Sequence, residues 1–390
     1  MGCLPSFQRT YGLYTASDSA KANLSSNIVS TFQGGAFFGC ASSFLVAERF
    51  GRRPTLILAA IIFSIGAALQ MIGRLDCLYV GRALTGWGVG SSAMILPIYV
   101  SECSPALIRG RLVGTFEVML QAALVCGFWV NYGVNKNISP EGNMQWHVPV
   151  AVQFVPAGFI NAINYYSPTI FKSIGFTGTS VGLLATGIFG IVKMAATMLY
   201  AAFLVDKLGR RPLLLIGGVG SGIAMFYLAG YSKVSGSFDH IPLMDAGART
   251  AVAMVYIYAL FYGMSWNGIP WLFTSEIIPN RVRTLGMAFC ISVQWVTQFI
   301  VVYSLPHMVI GITYGTFLFF GACTVLAIIF AWLFIPETKG VQLEDMDLLF
   351  GPAVPILASQ AMDNYVQGIA AWALEEREGG KMKATEIEHV

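Results

Sequence analysis

Charge is what this sequence has least of. Of its 390 residues, 11% are Asp, Glu, Lys or Arg, where a soluble domain carries about a quarter. With 56% hydrophobic residues and a mean hydropathy of +0.66, that deficit excludes an ordinary water-soluble domain. The net charge is only +3, with no basic stripe, so nucleic acid is not indicated as a partner. Paired cysteines are missing too: Cys3, Cys40, Cys77, Cys103, Cys126, Cys290 and Cys323 are scattered, without metal-ligand spacing or a disulfide framework. They read as helix-packing thiols. There is no phosphate-cradling loop, no His/Cys cluster and no nucleophile–base pair, so neither an enzyme nor a bound cofactor or metal is expected. Residues 1–26 hold no apolar segment suited to a signal peptide. The opening Met1-Gly2-Cys3 fits a lipidation pattern, and competes with a plainer reading in which Met1 stands for an internal methionine.

What is present is length of apolar run. A bilayer crossing needs about 20 apolar residues, and candidate spans fall at 27–46, 54–72, 79–100, 112–132, 181–205, 213–231, 251–274, 285–304 and 312–335. With a compound stretch at 146–171, that makes roughly ten apolar segments of an all-α polytopic membrane protein. Arg49, Arg52, Arg53, Arg109, Arg111, Lys207, Arg210, Arg211, Arg281 and Arg283 all fall in short loops on one side. The positive-inside rule makes that side cytosolic. Residues 133–145, with the sequon Asn137-Ile138-Ser139, then lie outside.

Residues 81–110 organise the rest. They begin Gly81-Arg82, pass through Gly86, Gly88 and Gly90, and close with Glu102-x-x-Pro105-x-x-x-Arg109. Glycines at that spacing let a neighbouring helix backbone approach closely. Charge at the end of an apolar helix is costly and usually paired, which makes Glu102 and Arg109 candidates for one another. The closing pattern recurs as Glu276-x-x-Pro279-x-x-x-Arg283. A second element, Glu48-x-x-Gly51-Arg52-Arg53-Pro54, recurs as Asp206-x-x-Gly209-Arg210-Arg211-Pro212. Two different elements repeating in the same order indicate a duplicated bundle. Gly86-Trp87-Gly88-Val89-Gly90 is no dinucleotide loop, because it lies inside an apolar helix rather than after a strand.

These two elements, together with Pro336-Glu337-Thr338-Lys339-Gly340, resemble the sugar-porter branch of the major facilitator superfamily over residues 27–350. Gly110–Gly114, the stretches 127–135 and 161–168, and Ser265-Trp266-Asn267-Gly268-Ile269-Pro270-Trp271 are most similar to the fungal quinate permeases. The resemblance implies a major facilitator fold of two pseudo-repeated bundles, with about ten of the family's twelve helices present. The family's first helix has no counterpart. Residues 145–158 resemble the start of the sixth helix and 160–168 the outer half of the seventh, whereas the rest of both helices and the cytosolic linker between them are missing. The expected organisation is an outer remnant (1–26), a truncated N-terminal bundle (27–133), an outer loop with a fused sixth/seventh segment (134–176), a C-terminal bundle (177–340) and a cytosolic tail (341–390). Parity requires the fused segment to leave and return on the outer side. It has length for one crossing, not two, so either a re-entrant hairpin or a skipped exon at Gly158–Phe159 is implied.

The resemblance also assigns roles. Glu48, Arg52, Arg53, Glu102, Arg109, Asp206, Arg210, Arg211, Glu276 and Arg283 would form an inner-side charge lock, opened as the bundles rock. Simple orientation by positive charge is the alternative for the arginines. The candidate substrate set is Glu117, Gln121, Asn161, Tyr165, Tyr166, Lys193, Trp271, Gln294 and Trp295, since a polyol needs amides for its hydroxyls and aromatic plates for its C–H faces. The alternative for Trp271 is a packing or lipid-belt aromatic, and for Gln294 helix–helix glue. Glu117 stands at the family's fifth-helix Gln position, Met194 replaces an eighth-helix Asn, and Trp87 replaces a smaller aliphatic. Lys193 in mid-helix either complements a substrate carboxylate, favouring quinate over a neutral hexose, or pairs with Glu117 or a carbonyl. Family symporters use an acid on the first helix; here Glu117 is the candidate proton carrier.

The expectation is a multi-pass transporter of the plasma membrane, moving quinate or a related sugar or polyol by alternating access, with protons as the coupling ion. The competing reading is a transport-inactive remnant or substrate sensor of the same family.

Overall fold

The computed structural model describes residues 4–11, 18–103, 109–139, 144–152, 179–236, 246–278 and 283–339, with a few more between 357 and 367. The described elements are helices. A short α1 (Pro5–Thr10) precedes α2 (Asp18–Phe50), α3 (Arg52–Gln70), α4 (Leu75–Cys103) and α5 (Arg109–Asn137). After α6 (Met144–Val152) come α7 (Thr179–Leu199), α8 (Arg210–Ser235), α9 (Ala246–Gly263), α10 (Ile269–Ile277), α11 (Arg283–Gly311) and α12 (Gly315–Phe334). Eight of the described helices are long and apolar enough to cross a membrane. Several run past the apolar windows read from the sequence, α2 by about two and a half turns at its start. Hydropathy marks the part of a helix that lies in hydrocarbon, whereas polar residues such as Ser19, Lys21 and Asn23 extend it into the headgroup region.

Two spans differ from expectation in kind. The one at 181–205 ends in a π-helical turn, Tyr200–Leu204, before a last α turn, Val205–Leu208. The one at 251–274 is no single helix: α9 stops at Gly263, and α10 begins after Gly268, with Pro270 in its first turn. Pro270 has no N–H to give and its ring crowds the preceding turn. Interrupted helices at membrane depth are tolerated where the freed backbone groups meet protein or a cavity.

Within the first half, α4 packs against both α2 and α3. Gly86 and Gly90 face Phe32 and Ala36 of α2, while Gly88 faces Ala59 and Phe63 of α3. Polar glue reinforces the contact. Ser43 Oγ donates to Ser91 Oγ at 2.5 Å, and Gln70 Nε2 donates to Thr85 Oγ1 and to the Gly81 carbonyl, each at 3.3 Å. In the second half, α8 packs on α9 and α12, and α7 on α9.

The halves join along two antiparallel seams, α2 with α11 and α5 with α7. The first is in contact along its length: His307 with Asn23 (2.8 Å), Phe32 edge-on to Trp295 (6.3 Å between ring centroids) and Cys40 with the Ala288 carbonyl (3.4 Å), with Arg52 at the α3 start reaching Thr284 (3.0 Å). In the second seam Gly190 meets Phe128 near one end and Gly114 meets Ala201 near the other. The α7 start therefore lies at the same end of the bundle as the α5 C-terminus and Trp146 of α6, which packs with Phe7 and Tyr11. That agrees with the parity read from the sequence. The rest of the fused segment, 153–178, including Gly158–Phe159, lies outside the described residues.

Candidate functional site: a buried polar cluster between the halves and a duplicated charge lock

The cluster sits where α5, α7 and the α9–α10 break converge. Glu117 and Gln121 lie one turn apart on α5, so their side chains share a face. Both are buried, as are Lys193 and Thr197 on α7 and Asn267 in the break. Gln121 Nε2 donates to Glu117 Oε1 at 2.9 Å, and Asn267 Nδ2 donates to the same oxygen at 2.6 Å. Gln121 Nε2 also reaches Asn267 Oδ1 at 3.3 Å, and Thr197 Oγ1 lies 3.5 Å from Asn267 Nδ2. One carboxylate oxygen is thus held by two amides, one from each half of the protein. The second, Glu117 Oε2, has no hydrogen-bond partner among the described residues, and neither does the Lys193 ammonium. Lys193 Nζ stands 5.2 Å from the ring centre of Tyr262, within cation–π range. The sequence left open whether Lys193 pairs with Glu117 or a carbonyl; it makes no hydrogen bond to either.

Trp271, half-buried on α10, meets the edge of Phe116 at 6.3 Å, next to Glu117 in sequence. Of the candidate substrate residues, Glu117, Gln121 and Lys193 come together, with Trp271 alongside. Gln294 and Trp295 do not join them. Gln294 is exposed, while Trp295 is buried against Phe32 in the α2–α11 core. Adjacent helix residues point about 100° apart, so the two cannot share a face. Asn161, Tyr165 and Tyr166 lie outside the described residues. Sequence reasoning passed over Asn267, Thr197 and Tyr200. For Asn267 a signal existed: an amide between Gly263 and Gly268-Ile269-Pro270 inside an apolar run, the pattern of a discontinuous helix with a ligand site.

The duplicated motifs supply a set of charge pairs, the candidate inner lock, and Arg52 and Arg210 meet carboxylates carried on other helices. Glu102 pairs with Arg52: Arg52 Nη2 lies 3.1 Å from Glu102 Oε1. In the second half Arg210 holds Glu276 with both Nη2 (2.7 Å) and Nε (3.3 Å), and Arg283 Nε instead donates to the Ile278 carbonyl at 3.3 Å. Arg52 and Arg210 are equivalent positions of the repeat, and so are Glu102 and Glu276, so the same contact occurs twice. The reason is geometric. The Gly-Arg-Arg turn and the end of the helix carrying the glutamate reach the same membrane face from different helices, whereas Arg109 and Arg283 open the following helices. Gly51 and Gly209 adopt nearly the same backbone, φ/ψ 85°/175° and 90°/174°, where a side chain would be strained.

The second copy carries more. Thr338 Oγ1 donates to Glu276 Oε2 at 2.8 Å. The Glu337 carboxylate accepts the Arg210 and Arg211 backbone N–H groups at 2.9 and 3.1 Å, filling the unsatisfied donors at the α8 start. Glu337→Ala is expected to lower stability by about 1–2 kcal/mol, seen as a lower unfolding midpoint in micelles. Arg211 Nη2 donates to the Trp332 carbonyl at 2.6 Å. Glu48 and Arg53 are exposed and Asp206 is half-buried; the Arg109 side chain lies outside the described residues.

Comparison with known proteins places this architecture. The chain is 34% identical over 448 residues to the quinate permease of Neurospora africana, covering 89% of this chain and 83% of the relative. A probable quinate permease of Neosartorya fischeri is 34% identical over 447 residues, covering 89% and 82%. Such an alignment leaves about a hundred positions of the relative without a counterpart here. The fold matches the proton:xylose symporter XylE bound to 6-bromo-6-deoxy-D-glucose, with a TM-score of 0.73 over 90% of this chain and 97% of that one, at 23% identity. A partially occluded inward-open form of XylE from E. coli matches with a TM-score of 0.67 at 24% identity. The family described as Sugar (and other) transporter matches residues 1–160 and again 158–350, two stretches that meet where the sequence joins its sixth-helix and seventh-helix parts. With its helical spans and duplicated arginine turns, the chain is a multi-pass membrane protein and belongs to the sugar transporter family of the major facilitator superfamily.

Proposed function

We propose that this chain carries quinate or a related polyhydroxylated compound across the membrane by alternating access, coupled to protons. The observation that supports this best is the cluster of Glu117, Gln121 and Asn267, in which amides from both halves meet on one buried carboxylate. A ligand held there contacts both bundles, so its binding is linked to how they sit against each other. Hydroxyls of a polyol need the donors and acceptors that these amides offer, and Trp271 with Phe116 supplies an apolar wall. The kinship to quinate permeases at 34% identity points to the same substrate. Arg52–Glu102 and Arg210–Glu276 serve as the inner lock, and Glu117 as the proton carrier.

Uptake of labelled quinate into yeast cells expressing the full chain tests the reading. Accumulation above the vector control is expected, with a loss of roughly tenfold or more in Asn267→Leu, which leaves the Gln121 amide and Glu117 short of a partner. Full uptake by that variant would remove the cluster from the transport path. A transport-inactive binder is the second reading, favoured by the two-part family match at 158–160. It predicts quinate binding to purified protein without uptake.

A further inference from the structure

Two buried charges in the cluster are left incompletely partnered, one on α5 and one on the α7 helix packed against it. Lys193 Nζ and Glu117 Oε2 are buried without a hydrogen-bond partner among the described residues, although the other Glu117 oxygen holds two amides. No hydrogen bond or ion pair joins them among the described residues. A lone buried charge is strongly unfavourable, and two opposite charges in one site offset one another. As it stands the cluster is balanced, one cation against one anion. A substrate bearing a carboxylate breaks that balance.

Resting on the transport reading for the identity of the ligand, we infer that a substrate carboxylate displaces Glu117 as the charge partner of Lys193, and that Glu117 takes up one proton as it does so. Lys193 keeps its proton and donates hydrogen bonds to the incoming carboxylate. The cluster then holds one cation and two carboxylates, and a proton from the water on the substrate's side of entry forms an O–H bond on Glu117 Oε2. Net charge returns to zero, and Oε1 still accepts from Gln121 and Asn267. Among the described residues, the titratable groups that act on Glu117 are Lys193 on α7, Tyr200 in the π-helical turn after it and Tyr262 on α9. Both tyrosines stay neutral, so Glu117 is the group able to restore the balance. The loaded site crosses the membrane with no net charge, so the pH gradient drives the flux and the membrane potential does not.

The exchange is read on the purified full chain in detergent micelles, with quinate as the acid probe and glucose as the neutral one. In weakly buffered solution, quinate is expected to withdraw about one proton per molecule bound, reported by a pH indicator, and glucose none. Glu117→Gln should bind quinate with no proton uptake. Lys193→Gln should weaken quinate binding by roughly 10- to 100-fold. The doubly neutral Lys193→Gln/Glu117→Gln chain, free of any unpaired charge, controls for folding. Quinate bound without a proton by the wild type, or with wild-type affinity by Lys193→Gln, overturns the inference. Glucose binding without any quinate binding overturns it too, leaving transport of neutral polyols standing. Proton-linked quinate binding without uptake in cells has the opposite meaning: the inference holds and the transport reading fails.

Discussion

Glu276→Ala is expected to destabilise this protein by about 3–5 kcal/mol, the cost of leaving a buried guanidinium without its partner. Glu102→Ala, the same change at the equivalent position of the repeat, is expected to cost below about 1 kcal/mol. The sequences are alike and the burial is not. The Arg210 and Glu276 side chains are 7% and 8% exposed, and those of Arg52 and Glu102 are 25% and 39% exposed. Glu276 is gripped by two guanidinium nitrogens and by Thr338, whereas the Arg52 nitrogen that meets Glu102 also meets Thr284 across the seam. Thermal unfolding of each variant in micelles measures the difference. Equal losses for the two would mean that burial is not what separates the copies. Joint replacement by Arg210→Met and Glu276→Leu should recover most of the loss, because it leaves no charge uncompensated.

That asymmetry bears on how the protein would move. Were these pairs to act as the proposed lock, the weaker side would open first. Arg52 of the first half touches Thr284 of the second, so the solvent-screened copy is the one that spans the halves. The buried copy ties α8, α10 and the segment after α12 into one body. Uptake by Arg52→Ala is therefore expected to be impaired with stability little changed, whereas Glu276→Ala loses folded protein first.

The duplicated motifs were legible in the sequence because charge in an apolar chain is conspicuous and the repeat supplied a second copy to check it. Lys193 and Glu117 stood out for the same reason, each a charge inside an otherwise apolar helix. Pairing was not legible. Which carboxylate meets which arginine depends on how separate helices converge, and Arg52–Glu102 crosses from the start of one to the end of another. Facing was not legible for Gln294 and Trp295 either, since period alone does not tell an exposed side of an apolar helix from one packed in the core. Asn267 was hidden for another reason. The apolar run through 251–274 reads as a continuous span, and only Gly268 and Pro270 within it mark the break that places the amide beside Glu117.

Gly90→Leu and Gly86→Leu are expected to yield essentially no folded protein. The contact between α2 and α4 is made backbone to backbone and is reciprocal. Gly86 faces Phe32 and Gly90 faces Ala36, while on the other helix Gly35 faces Ala83 and Gly39 faces Trp87, and in each case a Cβ added to the glycine would overlap the facing carbonyl. Overpacking in an ordinary core costs about 1–3 kcal/mol, because side chains give way. Here the neighbour is main chain and cannot rotate aside, so the helices must separate. Separation would also break the Ser43–Ser91 hydrogen bond and strip α4 from Phe32, Ala36 and Cys40 in the core that carries the α2–α11 seam. Gly127→Leu is the control: it is also a helical glycine, on α5, with nothing within 4 Å of an added Cβ. Size-exclusion profiles of tagged chains extracted in mild detergent separate the cases, with a monodisperse peak expected for Gly127→Leu and aggregate or no protein for Gly86→Leu and Gly90→Leu. A normal peak for Gly90→Leu would mean that α2 and α4 do not pack this closely, and the seam they support would have to be redrawn.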